Sequence, residues 1–134
     1  MRQMESPPFE PVADMKALKA FLTERIEDYA LEPGNSAMDL VLFKDALLHL
    51  CRINRILNQP RGNALLVGVG GSGRKSLAKL ATFVAEQRCF SIEITKNYRI
   101  TEFREDLKQL YRLTGGQNKA TTFLFDETQV RDGW

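Results

Sequence analysis

The chain of 134 residues has one tryptophan, one histidine, two cysteines and no long apolar run. Each scarcity closes off a class of function. Cys51 and Cys89 sit in different segments, and His49 has no second histidine to work with. A metal centre needs several ligands converging on one ion, so none built on cysteine or histidine is expected here, and the two thiols fit a reducing compartment. No stretch approaches the roughly 20 apolar residues of a membrane helix. The start, broken by Pro7 and Pro8, lacks the continuous apolar segment of a secretory signal, so an intracellular place is expected. Charge of one sign is also missing. The 19 basic and 17 acidic residues leave a net charge of +2, and no block is basic enough to require nucleic acid or a membrane surface.

What is present is a hydrophobic fraction of 43%, sufficient for a core, in a chain the size of one ordinary domain. Pro7, Pro8 and Pro11 mark an extended lead-in. Met15, Leu18, Phe21, Leu22 and Ile26 then recur at helical spacing, which predicts an amphipathic helix over 12–29, stopped by Pro33 and Gly34. A second helix is predicted from Met38 and Asp39, with Asp39 as cap, to Asn58. Its stripe is Leu42, Ala46, Leu50, Ile53 and Leu57, widened by Phe43, Leu47 and Ile56. Its other face carries Lys44, His49, Arg52 and Arg55 and reads as a solvated or interdomain surface.

After Pro60, Arg61 and Gly62 the pattern changes to strand–helix alternation. An apolar strand is predicted over 64–69, a helix over 76–87, a strand over 90–95, a helix from Thr101 as cap to Arg112, and a strand over 120–125. Strands separated by helices of this length pair in parallel, with helices on both faces of the sheet. The expectation is therefore an α/β fold, a three-layer sandwich of three parallel strands with flanking helices, preceded by N-terminal helices. Three strands make a small sheet, so the chain reads as a piece of a larger module whose missing strand leaves an apolar edge.

The chemistry lies in Gly68, Val69, Gly70, Gly71, Ser72, Gly73, Arg74, Lys75 and Ser76. Glycines at Gly68, Gly70, Gly71 and Gly73 let main-chain amides approach phosphate oxygens, and the following helix directs its positive end at the same anion. The usual frame ends in Gly, then Lys, then Ser or Thr. Here Arg74 takes the phosphate-reaching place and Lys75 displaces the hydroxyl that holds magnesium. A shifted register would make Lys75 and Ser76 correct, but one residue turns a helix by about 100°, so both registers cannot be satisfied. The strict register is favoured, with Ser76 in an outer or capping role. Loss of the hydroxyl should impair hydrolysis more than binding. Asp126 and Glu127 follow the last predicted strand. One would hold magnesium and the other polarise the attacking water, with the assignment left open.

With both motifs in view, residues 38–130 resemble the fourth AAA+ module of a dynein heavy chain, most like the axonemal branch. The resemblance rests on Met38-Asp39-Leu40-Val41-Leu42-Phe43, on the run from Pro60 to Arg74, and on Phe123-Leu124-Phe125 with Thr128-Gln129. It implies a partial P-loop NTPase core of AAA+ type over 37–134, with 1–36 belonging to the end of the preceding module. It also implies ATP or ADP and magnesium as ligands, although binding in the isolated segment is expected to be weak or absent. The implied partners are the other AAA+ modules of the same heavy chain, with intermediate and light chains and microtubules reached through the full protein. The implied place is the cytoskeleton of the cytoplasm, in the axoneme of a cilium. Relatives carry Gln where Lys75 stands and Thr-Asp where Asp126 and Glu127 stand. Nothing matches the later core strands, lid, sensors, arginine finger or stalk, so the chain alone is not expected to be a motor. The competing expectation is a structural or assembly segment that packs against partner modules without nucleotide.

Overall fold

Two compact units divide the chain, one ending at Ala85 and the other beginning at Glu86. The structure, a computed structural model, describes residues 10–68 and 73–130. Pro7, Pro8, Gly70, Gly71, Ser72 and Trp134 lie outside the described residues.

The first unit is helical. Its elements are α1 (Met15–Leu31), α2 (Lys44–Leu57) and α3 (Arg74–Val84). Asp14 caps α1, its carboxylate accepting from the amides of Lys16 and Ala17 at 2.9 and 3.2 Å. α3 packs against both other helices. Leu22 of α1, Ala46, Leu47, Leu50 and Ile53 of α2, and Leu77, Leu80 and Ala81 of α3 are all buried in one cluster. Tyr29 meets Phe83 edge to face at 5.5 Å. The Asn54 amide reaches the Ala81 carbonyl at 3.5 Å, a polar stitch between α2 and α3.

The stripe predicted for the second helix is largely the buried one, but the helix starts later than its sequence suggests. Phe43 is its extended N-cap, and Asp39 is exposed rather than capping. Residues 38–43 alternate instead: Met38, Leu40 and Leu42 turn inward, while Asp39, Val41 and Phe43 are exposed. Three of these six positions reach the core from an extended chain, which a helical period cannot do for alternate residues. α2 ends in a tight reversal in which Gln59 N–H donates to the Ile56 carbonyl at 3.0 Å and Gly62 N–H to the Gln59 carbonyl at 3.1 Å. Arg61 adopts the left-handed region with φ 58°.

The second unit holds β1 (Arg88–Phe90), α4 (Ile100–Tyr111) and β2 (Thr121–Phe123), with a π turn over Arg112–Gly116 and a 3-10 turn over Glu127–Gln129. β1 and β2 are parallel, with Arg88 opposite Thr121 and Phe90 opposite Phe123. Phe90 and Phe123 stand 6.0 Å apart, with Phe125 a further 6.0 Å from Phe123. Beyond the end of β1 the expected alternation persists without a ladder: Ile92 is buried and Ile94 half-buried, whereas Ser91 and Glu93 are exposed. α4 begins one residue before Thr101. Its cap is Arg99, whose N–H donates to the Glu102 carboxylate at 2.7 Å. Tyr98, 4% exposed, donates its hydroxyl to Asp106. Burial, more than that bond, holds the phenol above its ordinary pKa.

The sheet is smaller than expected. Among the described residues it has two strands, not three, and 62–68 carries no strand. Leu65 and Val67 are 88% and 83% exposed, and only Leu66 is drawn against the core. An apolar run becomes a strand only when a neighbouring chain satisfies its backbone groups, and 64–68 takes part in no ladder. The outcome is a mixed fold of helices and a small parallel sheet, consistent with a partial α/β P-loop domain and short of a full three-layer sandwich. No described helix is long and apolar enough to cross a membrane.

Candidate functional site

In the first unit, the start of α3 is set by Gly73. It is the N-cap of α3 at φ 75° and ψ 12°, and its carbonyl accepts from Leu77 N–H at 2.9 Å. A Cβ there would lie 3.5 Å from Leu40 Cδ1, an ordinary contact. The left-handed backbone, not a lack of space, is what calls for glycine. This turn starts α3 at Arg74, two residues earlier than the periodicity indicates, because the apolar stripe begins only at Leu77.

Arg74, Lys75 and Ser76 are therefore the first three residues of a helix whose positive end favours anions. The Arg74 guanidinium is half-buried and its Nη1 donates to the Leu66 carbonyl at 3.4 Å. This contact ties the start of α3 to the segment that enters the loop. Lys75 is exposed and Ser76 half-buried. Gly68 is exposed on the entering side. Of the expected phosphate-binding residues, Gly68, Gly73, Arg74, Lys75 and Ser76 are described.

The carboxylates belong to the second unit. Asp126 caps the 3-10 turn: its Oδ1 accepts from Thr128 N–H at 2.9 Å and from the Thr128 hydroxyl. Its own N–H donates to Gln129 Oε1 at 2.9 Å. Glu127 is exposed on the first residue of that turn. Among the described residues no group of three or more His, Cys, Asp and Glu is placed to hold a metal.

Gln129 entered the sequence reading only as part of the family motif, with no structural role assigned to it. Only 5% exposed, it donates from Nε2 to the Ile92 carbonyl at 2.7 Å and to Ser91 Oγ at 2.9 Å, while its oxygen takes the Asp126 amide. One side chain thus joins the carboxylate turn to the chain leaving β1. The available signal was the spacing of Asp126 and Gln129, which is that of a capping box. Gln129→Ala strands the Asp126 amide and the Ile92 carbonyl. It should destabilise the second unit by about 2–3 kcal/mol, read as faster amide exchange over 126–130 and at Ser91.

The loop, its helix and the carboxylate turn can now be set beside known proteins. A family model described as the P-loop containing dynein motor region D4 matches residues 38–133. The chain belongs to this family. The dynein-1-beta heavy chain of the flagellar inner arm I1 complex from Chlamydomonas reinhardtii is 76% identical to it over 131 residues, covering 97% of this chain. Human dynein axonemal heavy chain 2 is 48% identical over 124 residues, 92% of this chain, and pig dynein axonemal heavy chain 11 is 48% identical over 122 residues, 91% of this chain. The chain spans about 3% of the length of each of these relatives. The resemblance drawn from the loop and the strand-end motif is thereby shown: this is a D4 segment, the fourth AAA+ module, of a dynein heavy chain.

Proposed function

We propose that this D4 segment binds ATP or ADP through 68–76 and contributes to microtubule-based movement only inside the full heavy chain. The observation that carries the proposal is Gly73, whose left-handed turn delivers Arg74 and Lys75 to the positive end of α3. In this reading Arg74 neutralises phosphate in the place ordinarily held by lysine. Its planar fork is a less compact substitute for the lysine ammonium. Residues 37–134 form the nucleotide-binding core in this proposal, and 1–36 belong to the junction with the preceding module. The partners are other AAA+ modules of the same chain, with intermediate and light chains and microtubules engaged by the whole protein. The axonemal and flagellar names of the relatives support a place in the axoneme of a cilium.

The magnesium expected beside the nucleotide does not fit the residues present. The ion requires oxygen donors in near-octahedral array. The position that should supply a hydroxyl is Lys75, whose ammonium has no lone pair to offer a metal. No hydrolytic step is therefore assigned to Asp126 or Glu127.

Titration of the 134-residue chain with fluorescent ATP tests the proposal. Weak but saturable binding is expected, reduced about tenfold or more by Arg74→Ala and largely kept by Arg74→Lys, with helix content unchanged. A second reading, an assembly segment that never holds nucleotide, is favoured by the exposure of Val41, Phe43, Leu65 and Val67 in the first unit. A folded chain without saturable binding would favour that reading over the first.

A further inference from the structure

A nucleotide brings several negative charges to a P-loop, and the usual loop divides their neutralisation between a lysine and a magnesium ion held by the next residue's hydroxyl. This chain places a cation at both positions. Arg74 and Lys75 are the first two residues of α3, and Gly73 fixes that start through its left-handed turn and its bond to Leu77 N–H. Ser76, one position later, is rotated by about 100° and cannot take over the ligand's place in the same register. An ammonium has three donors and no acceptor, so Lys75 can hydrogen-bond a phosphate oxygen but cannot ligate a metal. The helix end adds its own positive potential in the same direction.

We propose that nucleotide is held at this loop without magnesium, the exposed Lys75 ammonium supplying the positive charge that the metal supplies in other P-loops. The proposal rests on the nucleotide-binding reading above and specifies how that site handles charge. A phosphate oxygen accepts from Nζ, no bond is made or broken, and the ligand class is a free nucleoside di- or triphosphate rather than its magnesium complex.

The test is equilibrium binding of the N-methylanthraniloyl derivative of ADP to the 134-residue chain, in excess EDTA and in millimolar magnesium. Affinities within roughly twofold of each other are expected, and a loss of about tenfold or more in EDTA would overturn the proposal while leaving nucleotide binding intact. Lys75→Ser restores the hydroxyl at an exposed position. It should weaken binding in EDTA by about tenfold and recover it on addition of magnesium. A Lys75→Ser chain that binds equally well in EDTA would also overturn the proposal. Absence of saturable binding in both buffers, by a chain with intact helical circular dichroism, overturns the nucleotide-binding reading itself.

Discussion

Gly62→Ala should unfold the first unit or lower its melting temperature by more than about 10 °C, although it adds one methyl group outside every helix. A Cβ built at Gly62 falls 1.9 Å from the Ile56 carbonyl oxygen and 2.8 Å from its carbon, with the Gln59 oxygen at 3.2 Å. These are backbone atoms, so no side-chain rotation relieves the overlap. The Ile56 carbonyl is also fixed by accepting from Gln59 N–H, and the Gln59 carbonyl by accepting from Gly62 N–H. The reversal must open, and with it the exit from α2 that positions Leu57 and Leu66 against the core. A loss of about 3 kcal/mol or more is expected, which is a large part of the stability of a small unit. Gly115→Ala is the matched control. Nothing lies within 4 Å of its added Cβ, so stability should stay within about 1 kcal/mol. Thermal circular dichroism of the two variants side by side measures the difference. Equal melts would show that the chain leaves α2 by another path.

Leu80→Ala should be nearly as severe, for a different reason. Leu80 is fully buried on α3 and belongs to the cluster shared with Leu50, Ile53 and Leu22. Truncation forfeits its transfer free energy and leaves a cavity that three packed helices cannot close, giving a loss of about 3–4 kcal/mol. Chemical denaturation should show a lower midpoint with an unchanged slope, because the surface exposed on unfolding is nearly the same. Leu65→Ala, at a position 88% exposed, supplies the comparison and should leave the midpoint almost in place. A large effect at Leu65 would mean that this residue is covered in solution.

The residues that made the fold readable were those with an unambiguous period. Ala46, Leu50 and Ile53 repeat at helical spacing and are buried together on α2. Phe90, Ile92 and Ile94 alternate, and the chain there does turn alternate side chains inward. Met38 to Phe43 misled because a run of apolar residues fits either period, and only the exposure of Val41 and Phe43 separates them. The apolar segment at Leu65 to Val67 misled for another reason. Apolar character describes what a strand buries, while a ladder depends on which chain lies alongside, and that information is non-local. In the candidate site, the glycine turn at Gly73 and the cations at Arg74 and Lys75 were legible because each follows from local chemistry. The duties of Asp126 and Gln129 were less so. A carboxylate at a strand end can serve a metal or its own turn, and the bonds from Gln129 to Ser91 and Ile92 join residues far apart in sequence.

The parallel pairing of Arg88 with Thr121 also orders events in time. Its partners meet only after the intervening chain, α4 included, has been gathered, and closing so long a loop carries an entropic barrier that neighbouring helices such as α2 and α3 do not face to the same degree. In a refolding molecule the sheet is therefore the late arrival. The Asp126 turn, pinned through Gln129 to the chain beyond β1, acquires its final shape no sooner than that sheet does.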